Sequence, residues 1–246
     1  MQADVYTRHI KNYSKHWWFQ ARKEIIKGLI KKYIKKNNHI KKFNILDFGA
    51  GSGVNINMLS KIGFVNIYEP HKKTRNYLKE KFNDSKKYKI LDNIKKKKFD
   101  LIILADVLEH IKNDRIILNK LYKSLKNDGF LLITVPAYNF LFSKKDEKLG
   151  HFRRYNKLNI IKMFKKFRII KLSYFNFILF IPISIMIIIN KIFKNDFIDK
   201  VEKPPNNLLN QIMFRIFKFE NIILRFINFP FGISIIGFFK KNDKIS

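Results

Sequence analysis

The chain contains no cysteine. Disulfides, thiolate zinc sites and cysteine nucleophiles are therefore excluded, which fits a reducing compartment, and no metal is expected as a cofactor. Acidic side chains are the minority: 19 Asp and Glu stand against 51 Lys and Arg, for a net charge of +32. Such a charge suits nucleic acid, an anionic membrane surface or anionic small molecules as partners. It equally suits a composition rich in Lys, Ile, Asn and Phe in which lysine fills the solvated faces, so charge alone assigns no partner. Long apolar runs are also missing. Residues 177–189 (FILFIPISIMIII) are apolar apart from Ser184. As a helix they would reach roughly 20 Å, short of the ~30 Å bilayer core. Pro182 interrupts the run, and a spanning helix is not expected. The N-terminus (MQADVYTRHIKNYSKHWWFQ) lacks the apolar core of a signal peptide. The expectation is a cytoplasmic protein, at most peripheral on the inner membrane face.

At 246 residues with 46% hydrophobic content, the length fits one large domain with an elaboration. Residues 1–42 are basic and aromatic, and HWWFQARKEIIKGLIKKYI reads as a helical lid or cap, with Ile25, Ile26, Leu29, Ile30 and Tyr33 at helical spacing. Residues 43–176 alternate strand and helix. FNILDF, VNIYEP, KYKILD, FDLIILA and FLLITVP read as strands. NINMLSKIG, stopped by Gly63, KTRNYLKEKF, and NDRIILNKLYKSLKNDG, with Asn113 as N-cap and Gly129 as stop, read as helices. KLNIIKMFKKF is a further helix and RIIKLSYF a further strand. Continuous apolar runs separated by helices imply an α/β fold with a mostly parallel sheet covered on both faces.

Residues 177–230 read as an apolar and amphipathic helical insertion, with NKIFKNDFIDKVEKPPNN as a charged linker. Over 208–227, Leu208, Leu209, Ile212, Met213, Ile216, Phe219, Ile223, Leu224 and Ile227 form one stripe, and Arg215, Lys218, Asn221 and Arg225 face away from much of it. Residues 231–246 close the chain as a last strand and tail.

Glycine is scarce, nine in the chain, yet three fall within LDFGAGSG at Gly49, Gly51 and Gly53. Glycines after a buried strand allow a sharp turn into a helix, and they let a ligand approach the main chain with no Cβ in the way. The helix start that follows presents free N–H groups and a positive dipole end. A phosphate-binding Gly-Lys-Ser/Thr ending is absent, since Val54 and Asn55 follow Gly53, and the third glycine of a dinucleotide fingerprint would fall at Val54. Asp47, two residues before the first glycine, is the wrong charge for a pyrophosphate and suits a cationic ligand, such as an amino-acid ammonium or a sulfonium. Glu69, at the end of the next strand, can accept two ribose hydroxyls. Asp92 and Asn93, after the third strand, are placed to meet an adenine edge. The bland alternative is three ordinary strand-end loops with turn-forming acids.

This pattern resembles the class I S-adenosylmethionine-dependent methyltransferases over roughly residues 15–175 plus the final strand. The resemblance implies a Rossmann-like seven-stranded sheet, with the helical insertion lying between its last two strands. It implies S-adenosylmethionine as cofactor, with Asp47, Gly49, Gly51, Gly53, Glu69, Asp92, Asn93 and Asp106 as cofactor positions. ILADVLEHI is similar to the family's fourth-strand segment. TVPAYNFLFSKKDEKLGHFRRYN and HWWFQAR are similar to a bacterial subgroup with a Gly-His-x-Arg-Arg-Tyr loop.

Methyl transfer needs a base only if the acceptor must lose a proton early. His110 and His151 are the candidates; the alternative for His110 is a pocket wall that moves no proton. Arg153, Arg154 and Tyr155 form a loop that either converges on an acceptor's anionic group or clasps acids such as Asp146 or Glu147. Trp17 and Trp18 either cover the site or pack in the core. The expected acceptor is a small or lipid-linked molecule bearing an anionic group, and the insertion is expected to dock on an anionic membrane surface, the alternative being a helical cap on the domain or a dimer interface. The rivals are an RNA methyltransferase, which the charge favours but which lacks an appended RNA-binding module, and a catalytically silent scaffold of the same fold.

Overall fold

A computed structural model of the chain describes residues 16–34, 43–193 and 205–242. The chain divides into two compact units: described parts of Met1–Asn37, Pro136–Lys157 and Ser173–Ile235 form one, and Asn38–Val135, Leu158–Leu172 and Ile236–Ser246 the other. The loop after the fifth strand therefore belongs with the N-terminal helix and the insertion, a grouping that the contiguous segments read from the sequence do not show.

The second unit carries most of a seven-stranded sheet. Its strands are β1 (Phe43–Phe48), β2 (Gly63–Tyr68), β3 (Tyr88–Leu91), β4 (Phe99–Ala105), β5 (Leu125–Pro136), β6 (Phe167–Phe175) and β7 (Ser234–Lys241). The spatial order is β3-β2-β1-β4-β5-β7-β6. Pairing is parallel through β3-β2-β1-β4-β5, as continuous apolar strands require when both faces are covered. Ile45, Leu46, Val65, Ile67, Leu101 to Leu104 and Leu131 to Ile133 are fully buried.

The connecting helices are α1 (Trp17–Tyr33), α2 (Ile56–Leu59), α3 (Lys72–Lys81), α4 (Asp114–Ser124), α5 (Lys144–Leu149), α6 (Lys157–Met163), α7 (Phe180–Phe193) and α8 (Asn207–Leu224). Two glycines expected to stop helices do something else. Gly63 is the first residue of β2, and a Cβ there would collide with the Phe43 carbonyl of β1. Gly129 lies inside β5, because the chain leaves α4 at Ser124 and becomes extended at once. Asn113 does precede α4, but its side chain makes no capping hydrogen bond. Pro182 lies in the first turn of α7 instead of interrupting a helix, where its missing N–H costs nothing. Most of the expected charged linker, residues 194–204, lies outside the described residues.

In the first unit α8 buries Phe217, Glu220, Asn221 and Leu224. This is not the stripe that hydropathy alone selects. Glu220 and Asn221 face inward because the backbone satisfies them. The Glu220 carboxylate accepts N–H groups from Asn176, Phe177 and Ile178, and the Asn221 side chain donates to the Glu24 carbonyl of α1 at 3.2 Å. Burial raises the Glu220 pKa, and those three N–H groups oppose the rise. Asn210 of α8 in turn accepts the Trp17 N–H at 2.9 Å.

Candidate functional site

The register of the parallel strands gathers the expected cofactor residues at one edge of the sheet. Phe48 pairs with Tyr68, and Tyr68 with Leu91. Glu69 and Asp92 therefore follow directly at the ends of neighbouring strands, beside the loop that begins at Gly49. This carboxyl edge is where open parallel sheets receive ligands.

The loop itself is built from backbone. Gly49 and Ala50 both donate to the Tyr68 carbonyl, at 2.7 and 3.3 Å. Gly49, Gly51 and Gly53 have φ of +72°, +54° and +76°, a region where a side chain is strained. Their surroundings differ. A Cβ on Gly53 would lie 2.5 Å from the Phe82 ring, and one on Gly49 would lie 2.8 Å from Val107. Among the described residues, a Cβ on Gly51 would meet nothing within 4 Å. Gly49 and Gly53 are thus glycine because protein packs against them, whereas Gly51 opens onto space that a ligand can fill.

Two acids flank that space. Glu69 is buried, accepts the Gly51 N–H at 2.9 Å through Oε2 and accepts the His71 N–H at 2.9 Å through Oε1. It ties the glycine loop to the start of α3, where His71 is the N-cap. Asp47 is 2% exposed, and its Oδ2 has no hydrogen-bond partner among the described residues. Burial, together with the nearby charge of Glu69, raises its pKa to about 7. A buried carboxylate oxygen without a partner is costly unless a donor arrives. A cation placed beside it supplies that donor and restores the ionised form.

The remaining expected residues are placed less tightly. Asp92 and Asn93 are exposed, and Asn93 accepts the Lys95 N–H at 3.1 Å as a turn contact. Asp106 follows β4 with φ +56°. Its N–H donates to the Thr134 carbonyl at 3.0 Å, and its Oδ1 accepts the Thr134 hydroxyl at 2.7 Å. His110 ends a 3-10 turn, Leu108–His110, beyond the same strand.

The Gly-His-x-Arg-Arg-Tyr loop is built around Asp146, in the other unit. Asp146 closes a capping box with Ser143 at the start of α5. Its two oxygens accept Arg154 Nε and Nη2, each at 2.9 Å, and His151 Nδ1 lies 2.9 Å from Oδ1. Burial alone would raise the Asp146 pKa, but the hydrogen bonds from His151 and Arg154 outweigh it and hold the carboxyl well below the usual range. Arg154 is therefore held in the clasp on Asp146, the second of the two roles expected for this loop. Tyr155 is buried, its backbone bonded to Pro136 and Tyr138. Arg153 is half-buried. Trp17 and Trp18 both pack against Phe217, with ring centroids 5.5 Å apart, which is the core-packing role.

Sequence reading passed over Thr134 and His71. Thr134 is the one hydroxyl within the apolar run FLLITVP, fully buried, and a polar residue there signals a specific partner. His71 carries no comparable signal, since its capping role depends on where α3 begins.

The comparisons with known proteins agree with this geometry. A family model described as a methyltransferase domain matches residues 17–171. No curated protein matches the chain. Among solved structures it is similar to the N-methyltransferase NodS from Bradyrhizobium japonicum in complex with S-adenosyl-L-homocysteine. The identity is 10% and the TM-score 0.53, over 90% of this chain and 87% of that one. It is similar to coclaurine N-methyltransferase bound to N-methylheliamine and S-adenosyl-L-homocysteine, at 14% identity and TM-score 0.54, over 89% and 72%. A SAM-dependent methyltransferase from Archaeoglobus fulgidus aligns at 17% identity and TM-score 0.52, over 89% and 94%. The residues present fit S-adenosylmethionine: Asp47 offers an unpartnered oxygen to a cationic group, and Gly51 leaves room against the main chain. The chain belongs to the methyltransferase-domain family and is an S-adenosylmethionine-dependent methyltransferase.

Proposed function

We infer that the chain methylates a small or lipid-linked acceptor, with Asp47, Gly51 and Glu69 holding the cofactor. The observation that carries the cofactor assignment is the buried, unpartnered Asp47 oxygen beside a glycine loop with open space at Gly51. S-adenosylmethionine supplies an activated methyl group when bound, so the protein's work is to bind, orient and exclude water. Asp47 faces the cationic amino-acid end. Glu69, which already accepts the Gly51 and His71 N–H groups, would hold the ribose hydroxyls, and Asp92 and Asn93 would meet the adenine. His110, at the same strand edge, is the base where the acceptor must lose a proton. The neighbour bound to N-methylheliamine supports a small-molecule acceptor. With Arg154 held by Asp146, this reading does not depend on an anionic group in the acceptor.

The test is transfer of labelled methyl groups into an extract of the source cells, partitioned into lipid, small-molecule and nucleic-acid fractions, with Asp47→Asn as background. Label in the lipid or small-molecule fraction is the expected result. Label confined to RNA would overturn the acceptor class. S-adenosylmethionine binding without label in any fraction would overturn the catalytic reading in favour of a silent scaffold.

A further inference from the structure

Large apolar side chains left in water are concentrated in one part of the chain. Of the twenty exposed large hydrophobic residues among the described residues, fourteen lie between Ile178 and Ile227. In α7 the exposed positions Ile181, Ile185, Ile188 and Ile192 recur at helical spacing, while Ser184 and Ile187 are buried. The inner side of α7 is already occupied: Phe180, Ile183 and Ile187 pack in a cluster with Leu141, Ile233, Trp18 and Tyr138. In α8 the exposed Leu208, Ile212, Phe219 and Ile222 lie on the side opposite to buried Phe217 and Leu224. Each helix thus turns its richer apolar face outward, the reverse of a helix folded only against its own protein. Exposed apolar faces of this kind mark an interaction site.

Charge selects the partner. α7 contains no acidic residue, and the only acid of α8, Glu220, is fully buried. The exposed charges on these helices, Lys191, Arg215 and Lys218, are all cationic. Lys31, at the end of α1, is exposed as well, and Lys32 lies over the Phe226 ring at 5.4 Å. Isologous pairing of these two helices with a second copy would set their cations against themselves, with no exposed acid on either helix to answer them. An anionic lipid surface answers both features, accepting the apolar side chains below its headgroups and the cations among them. Length sets the mode of contact. No described helix is long and apolar enough to cross a membrane, and α7, with 14 residues, spans about 21 Å against the ~30 Å hydrocarbon core.

We propose that α7 and α8 dock the protein on an anionic membrane surface, lying in the interface with their isoleucine and phenylalanine faces immersed. Docking would place the enzyme beside lipid-borne acceptors, and the vesicle binding itself is independent of the methyl-transfer reading.

The test is co-sedimentation of the full chain with vesicles of phosphatidylcholine alone or with about one-third phosphatidylglycerol, at low and high salt. Binding at least about tenfold tighter to the anionic vesicles, weakened by salt, is expected. Ile185→Glu with Ile192→Glu, and separately Phe219→Glu, should each lower that binding about tenfold or more. These positions are exposed, so the melting curve and S-adenosylmethionine titration should not change; those two measurements separate loss of docking from loss of fold or cofactor site. Equal binding to neutral and anionic vesicles, or variants that bind like the parent, would overturn the proposal. So would a dimer in light scattering that Ile185→Glu dissociates, with no vesicle binding, since the occupant would then be a second copy.

Discussion

Asp47 and Asp146 are each 2% exposed, but they sit in different units and are treated in opposite ways. Asp146 receives the Ser143 N–H, two arginine nitrogens and a histidine nitrogen, and its pKa falls despite burial. Asp47 keeps one oxygen without a partner among the described residues, and its pKa rises to about 7. A buried acid surrounded by donors completes a structure; one lacking a donor is completed by something that binds. Burial alone therefore does not separate architecture from site, whereas the partner list does.

The largest effect should come from breaking the satisfied member of the pair. Asp146→Asn leaves Arg154 with no countercharge in a buried place and should destabilise the fold by about 3–5 kcal/mol, read as a lowered melting temperature. The pH dependence follows from the depressed pKa. Stability from Asp146 is complete above its unfolded value of 3.8 and drains away as acid titrates the native carboxyl, so the variant should lose the part of acid unfolding that begins below about pH 4. If Asp146→Asn melts with the parent across pH 3–7, the clasp carries no stability.

The glycine loop should show the next largest difference. Gly53→Ala forces a Cβ onto the Phe82 ring at positive φ and should cost about 2–3 kcal/mol of stability. Gly51→Ala meets no atom of the described residues. It should cost only the backbone strain of about 1 kcal/mol and act mainly on S-adenosylmethionine affinity, measured by calorimetry. Equal stability losses with equal affinity losses would erase the distinction between a packed and an open glycine.

Asp47→Asn should weaken S-adenosylmethionine binding by about tenfold or more, since a charge-assisted contact is lost. The sign of the pH effect is the opposite of that for Asp146. The native state holds a proton that the unfolded chain releases between pH 3.8 and about 7. Stability of the free protein therefore falls as pH rises through that window, and the asparagine variant should lack the fall. Affinity in the parent should climb with pH up to about 7 and level off above it, whereas the variant should be flat. The smallest effect should be that of Thr134→Val. It removes the hydroxyl that Asp106 accepts at 2.7 Å and should cost about 1 kcal/mol of stability and a few-fold in affinity.

Much of this was legible in advance. The alternation of strands and helices, the order of Asp47, the three glycines and Glu69, and the shortness of the apolar run all follow from local pattern, and the register of β1 and β2 brings the ends of those two strands side by side. The errors share a cause. Gly63, Gly129 and Pro182 are local punctuation marks, and each was read for the commonest local use. Gly63 is glycine because β1 passes too closely for a side chain, which no window of neighbouring residues reveals. Hydropathy assigned Asn221 to the solvent side of α8, but α1 and the backbone near Asn176 supply partners that make a polar face the inward one.

The sequence by itself determined the α/β class, the glycine loop and the acids that suit a cationic cofactor, because strand periodicity, positive-φ turns and charge are properties of short segments. Tertiary structure alone decided which acid is complete and which waits for a ligand, that Arg154 belongs to a clasp, and that the apolar faces of α7 and α8 point outward. Those facts depend on donors and neighbours brought from distant parts of the chain, and burial acquires a sign only once those partners are in place.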